Sequence, residues 1–119
     1  MSMDLDFAKQ GFLVEAQELL IAMEDALLHL ETTPDDMEAI NAVFRAAHTI
    51  KGTSGIFGFD DVVTFTHVAE SLLDKIRDNE IKIDIKIIEV LLKSGDHMCD
   101  LVTEVIENDG QVAEDTLAV

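Results

Sequence analysis

Tryptophan and tyrosine are absent from this 119-residue chain, proline and cysteine occur once each, and 8 basic side chains face 25 acidic ones. Each shortage closes a route. Six Phe are the only aromatics, so a core must be built mainly from Leu, Ile, Val, Ala and Met. That suits packed helices better than a small β-sandwich, which needs β-branched and aromatic alternation with frequent turns. Cys99, alone, cannot form an internal disulfide, and a reducing cytoplasm is the expected setting. A formal net charge of -17 leaves few cations to grip a nucleic-acid backbone or an anionic membrane surface. No apolar run approaches the roughly 20 residues of a membrane span. The start, Met-Ser-Met-Asp-Leu-Asp-Phe, carries acid where a signal peptide would carry base. The length suits one domain.

Apolar residues recurring at three- and four-residue intervals mark four helices. The first carries Leu5, Phe12, Ala16, Leu19, Met23, Leu27 and Leu30. It stops before Thr32-Thr33-Pro34, where Pro34 opposes further helix and Thr33 or Asp35 can cap the next one. The second is expected from about 36 to 54, with Ile40, Val43, Phe44, Ala47 and Ile50 inward, and Gly55 and Gly58 bracketing a short apolar turn. Asp60 and Asp61 open the third, where acid complements the helix dipole, and its stripe is Val62, Phe65, Thr66, Ala69, Leu72, Leu73 and Ile76. Asn79 and Glu80 begin a link. Ile81 to Ile85 alternates like a strand, but a lone strand would have no partner, so it reads as the lead-in to a fourth helix over about 84 to 107. Ile88, Leu91, Gly95, Met98, Cys99, Val102 and Ile106 would face inward, and Asn108-Asp109-Gly110 is expected to end it. The expected fold is all-α, an antiparallel up-and-down four-helix bundle over residues 1–108. Residues 109–119 would be an acidic tail or the start of a linker, with room for a short fifth helix.

Advancing about 100° per residue from Ile40, Val43, Phe44, Ala47 and Ser54 fall within about 60° of it. His48 lands near 80°, at the border of the stripe, with Asn41, Arg45 and Gly52 beside it on the solvent side. Gly52 is one turn further on, where a larger side chain would overhang the imidazole. A helical glycine costs about 1 kcal/mol against alanine, which is tolerated more readily where something must approach closely. Lys51 can place an ammonium near an anion formed on His48. Counted from Val62, Glu70 also lands near 80°, with His67 one turn back on the same side. If the second and third helices form a hairpin about residues 57–59, His48 lies level with residues 67–70. Glu70 would then accept a hydrogen bond from one imidazole nitrogen and present the other lone pair outward, which suits a nucleophile toward phosphorus.

Singly, these features have ordinary readings: a border histidine is usually a partly exposed polar residue, a helical glycine a packing accommodation, and Glu70 a solvated acid. Together, His48-Thr49-Ile50-Lys51-Gly52-Thr53-Ser54-Gly55-Ile56-Phe57-Gly58-Phe59 with Glu70 opposite is a much narrower pattern. A metal set of His48, His67 and Glu70 is opposed by the adjacent Lys51. His29 and His97 fall on outward faces and are expected to be solvated. Cys99 reads as core rather than a reactive thiol, and Met23 and Met98 sit at core spacing. No phosphate-cradling Gly-Lys loop for nucleotide is present.

The His48-Thr49-Ile50-Lys51-Gly52 run, the F-x-x-E-A-x-E-L-L pattern from Phe12 to Leu20, and the pair His67/Glu70 resemble the histidine phosphotransfer (Hpt) domain of CheA-type chemotaxis histidine kinases, over nearly the whole chain. That resemblance implies that His48 is the phosphoacceptor and Glu70 its orienting partner. It places Lys51 and His67 in the surrounding polar network and gives Gly52 the role of access. It also implies no cofactor in this domain. ATP and Mg²⁺ would belong to a separate histidine kinase catalytic domain and to a CheY- or CheB-like response-regulator receiver domain, whose aspartate takes the phosphoryl group. By itself the chain would be a monomeric phosphoacceptor rather than an enzyme, part of a parent histidine protein kinase. A stand-alone or hybrid-relay phosphotransfer protein is an alternative. So is a bundle that binds a partner through an apolar face, with His48 incidental.

Overall fold

The computed structural model describes the backbone of residues 2–118 and the side chains of residues 5–107. Four helices and no strand make up the described backbone: α1 (Ser2–Thr32), α2 (Met37–Phe57), α3 (Asp60–Arg77) and α4 (Ile85–Ala118). They run alternately up and down, α1 packed on α2 and α4, and α3 on α2 and α4. The buried stripes are those the three-and-four spacing marks out. Phe12, Ala16, Met23, Leu27 and Leu30 on α1 meet Val43, Ala47 and Ile50 on α2, Val62 and Leu73 on α3, and Leu91, Met98 and Val102 on α4. Gly95 brings α4 close to Met23, and Cys99 is partly buried against the core. Among the described residues, no helix is long and apolar enough to cross a membrane.

Several details depart from expectation. Leu5, placed on the inward stripe, is 49% exposed. It lies about two turns before Phe12, the point where the α2–α3 corner begins to cover α1. There Phe12 stacks on Phe57 and Phe59 at 5.8 and 6.4 Å between centroids.

The cap of α2 is Asp36, rather than Thr33 or Asp35, because a turn closed by the Asp36 N–H on the Thr33 carbonyl at 3.2 Å takes up Pro34 and Asp35. One Asp36 oxygen accepts from the Glu38 and Ala39 amides, satisfying donors that a helix start leaves open. The other lies 2.8 Å from His29 Nε2, so His29 ties the end of α1 to the start of α2 instead of pointing only into water. The His29 hydrogen bond, then that from the Ala39 amide, holds the Asp36 carboxyl below the ordinary range. His97 is exposed as expected, yet it packs edge-on against Phe65 at 4.6 Å.

α2 continues through Gly55 to Phe57, beyond the expected end near residue 54. The chain reverses at Gly58 alone, whose φ of 76° is left-handed. The Gly58 and Phe59 amides close back on the Gly55 and Ser54 carbonyls at 3.2 and 2.9 Å, a Schellman-type ending. α4 begins after Asp84, whose carboxylate accepts from the Ile87 amide at 2.8 Å. It does not stop at Asn108-Asp109-Gly110 but runs as one helix to Ala118, leaving no separate fifth helix. A single helical glycine costs only about 1 kcal/mol, and Val112-Ala113-Glu114 beyond it contain no proline to break the ladder.

Candidate functional site

The Gly58 corner folds α2 and α3 into an antiparallel hairpin, which sets His48, ten residues before it, level with Glu70, twelve after. His48 Nδ1 lies 2.6 Å from Glu70 Oε2, and Lys51 Nζ donates to Glu70 Oε1 at 2.5 Å. The carboxylate is thus engaged through both oxygens, one on each side chain of α2. The exposures differ sharply: the His48 side chain is 63% accessible, that of Glu70 9%.

Burial raises the Glu70 carboxyl, but the hydrogen bond from Lys51, followed by that from His48, outweighs it, and the carboxyl lies below the ordinary glutamate range. Glu70 is therefore ionised near neutral pH and can only accept. The short contact then requires hydrogen on Nδ1 of His48. In the neutral ring the lone pair falls on Nε2, on a largely exposed imidazole.

Two further residues bear on His48. Phe44, one turn earlier on α2, lies with its ring 6.0 Å from the imidazole and only 9° from parallel. Arg77, the last residue of α3, sets its guanidinium carbon 4.2 Å from the Phe44 centroid. Phe44 was expected simply as core, although its four-residue spacing from His48 was visible. Arg77 carried no signal by itself; the hairpin register places it roughly opposite Asn41, within a turn of Phe44.

Of the sequence-expected residues, His48, Lys51 and Glu70 come together in one hydrogen-bonded set. Gly52 lies exposed one turn beyond His48, and a Cβ built there meets nothing within 4 Å. His67 is exposed on α3 and outside the hydrogen-bonded set; its carbonyl accepts from Ser71 Oγ at 3.0 Å. Among the described residues, Glu70 bonds to His48 and Lys51 and not to His67. Among the described residues, no three His, Cys, Asp or Glu side chains converge to hold a metal ion.

A family model for the Hpt domain matches residues 9–108. The chain is 41% identical over 108 residues to the chemotaxis protein CheA of Rhizobium meliloti, a match covering 91% of this chain and 14% of that protein. It thus spans a small fraction of that relative. The solved CheA phosphotransferase domain from Thermotoga maritima matches with a TM-score of 0.79 at 37% identity, over 85% of this chain and 96% of that one. The phosphorylated P1 domain of CheA3, solved in complex with CheY6 from R. sphaeroides, matches with a TM-score of 0.79 at 30% identity, over 91% and 89% of the two chains.

Proposed function

The chain belongs to the Hpt domain family, and from that premise we propose that His48 accepts a phosphoryl group from ATP on a separate histidine kinase catalytic domain and passes it to the aspartate of a response-regulator receiver domain. The observation that carries this reading is an exposed imidazole whose Nδ1 is held by a buried, ionised carboxylate. The Nε2 lone pair attacks the γ-phosphorus. The N–P bond forms as the bond from phosphorus to the bridging oxygen breaks, and ADP leaves. The ring now carries hydrogen on Nδ1 and phosphorus on Nε2, hence a positive charge, which faces the Glu70 carboxylate. In the second step an aspartate oxygen attacks phosphorus, the N–P bond breaks, and the electron pair returns to Nε2. Such transfers ask chiefly for positioning and charge stabilisation. ATP and Mg²⁺ belong to the partners, and this domain supplies a fixed nucleophile.

Gly52 fits the same reading. Its surroundings are open and its φ is not positive, so neither packing nor backbone conformation within the chain asks for glycine. The space beside His48 is left to the approaching partner, and His67 belongs to the surface that partner meets. A CheY-like receiver is the partner favoured by the solved complex of the similar P1 domain. We further assign phosphotransfer to residues 1–108 of a cytoplasmic, monomeric unit, with 109–119 an acidic tail or the start of a linker.

The test is His48→Gln. Its far-ultraviolet dichroism should match the parent, with a melting midpoint within about 3 °C, as for an exposed side chain, while phosphoryl acceptance from a CheA-type kinase domain and Mg-ATP disappears. Retained acceptance in a folded variant would leave a partner-binding bundle with an incidental histidine.

A further inference from the structure

We propose that Phe44 is a positioning residue for the His48 imidazole and that Arg77 positions Phe44 in turn, so that the plane of the nucleophilic ring, like its tautomer, is set across the α2–α3 seam. The proposal rests on His48 being the phosphoacceptor. Two torsions orient an imidazole, and a hydrogen bond at Nδ1 restrains them jointly rather than one by one. With its side chain 63% exposed, His48 has few other neighbours to hold it. The Phe44 ring supplies the missing restraint: at 6.0 Å and 9° it lies alongside the imidazole in an offset, near-parallel arrangement that aromatic rings favour.

Phe44 is only partly buried and needs a hold of its own. Arg77 provides it. Its guanidinium lies over the Phe44 ring at 4.2 Å, well within cation–π range. Asp74, three residues earlier on the same helix, approaches the guanidinium only to 3.9 Å, the outer limit of an ion pair. On a chain with 25 acids and 8 bases, this cation is seated on an aromatic ring and not on a close carboxylate. α2 therefore supplies both rings, and α3 supplies the two groups that fix them, Glu70 for the tautomer and Arg77 for the plane. Reaction rates respond steeply to such alignment, since small misplacements of reacting atoms can cost up to about a hundredfold.

The experiment compares Phe44→Leu, Phe44→Tyr, Arg77→Gln and Arg77→Lys as substrates of a CheA-type kinase domain with Mg-ATP, alongside the proton NMR shifts of the unphosphorylated His48 ring. For Phe44→Leu the expected result is a kcat about tenfold lower with KM within about twofold, together with loss of the ring-current shift on the imidazole protons. Phe44→Tyr, which keeps the ring, should recover most of the rate. Arg77→Gln should lower kcat about threefold and Arg77→Lys restore it. An unchanged kcat in folded Phe44→Leu, or a raised KM with kcat intact, overturns the proposal, the latter making Phe44 part of a docking surface. Should Phe44→Leu lose its helical dichroism, the Arg77 pair decides, and equal kcat in Arg77→Gln and the parent is fatal. If His48→Gln still accepts phosphoryl, the phosphoacceptor reading fails separately, and unchanged imidazole shifts in Arg77→Gln would still count against the stack.

Discussion

At Glu70 burial raises the carboxyl pKa while the hydrogen bonds from Lys51 and then His48 lower it, and the lowering prevails. The sign of its effect on stability follows. The folded chain holds Glu70 ionised more firmly than the unfolded chain, so on acidification the unfolded state takes up the proton first. The stabilisation is complete above the unfolded value, about 4.3, and is lost as pH falls through the lowered folded value. Glu70→Gln should therefore flatten the acid limb of the stability curve below about pH 4.5, as read from urea midpoints across the range. Parallel curves for the two proteins would mean the pair is not linked to folding. Gly52 offers a second test at this scale. With open space around its Cβ position, Gly52→Ala should stabilise the bundle by up to about 1 kcal/mol. Gly52→Val, whose branched side chain would stand beside the imidazole, should slow transfer more than it destabilises. Normal transfer by Gly52→Val would remove access as the reason for the glycine.

Helix ends were harder to place than helix faces. The stripes of all four helices follow from periodicity, which burial enforces along many residues at once. Each end, by contrast, hangs on one or two local hydrogen bonds: Asp36 caps α2 because the preceding turn consumes Pro34 and Asp35, and α4 passes Gly110 because nothing beyond it breaks the ladder. At the α2–α3 corner two glycines competed for one role, and only Gly58 has the left-handed backbone. Its Cβ position is also free of neighbours within 4 Å, so a substitution there isolates the conformational cost. Gly58→Ala should cost about 1 kcal/mol, a fall of roughly 4 °C in melting midpoint. Gly58→Asn should recover part of it, since asparagine visits this region more readily. A melting curve unmoved by Gly58→Ala would mean the corner reverses by another conformation.

At the scale of the whole molecule the bundle is a rod of 52 × 25 × 19 Å. Its up-and-down order was legible because four amphipathic stretches with short links leave little choice of topology. What sequence could not supply was the side-chain arrangement around His48: the partner of Arg77 is a ring on another helix, which no spacing along α3 reveals. The division of labour has an evolutionary consequence. Every group now assigned to orienting or clearing the way to the imidazole, Phe44, Lys51, Gly52, Glu70 and Arg77, lies on α2 or α3. Met23, Leu27, Leu30, Leu91, Met98 and Val102, at most 1% exposed, lie on α1 and α4. The usual trade-off between robustness and activity arises where one residue must serve both. Substitutions on the core faces of α1 and α4 therefore fall on helices that carry none of these groups, whereas the core faces of α2 and α3, with Val43, Ala47, Ile50, Val62 and Leu73, share their helices with the site.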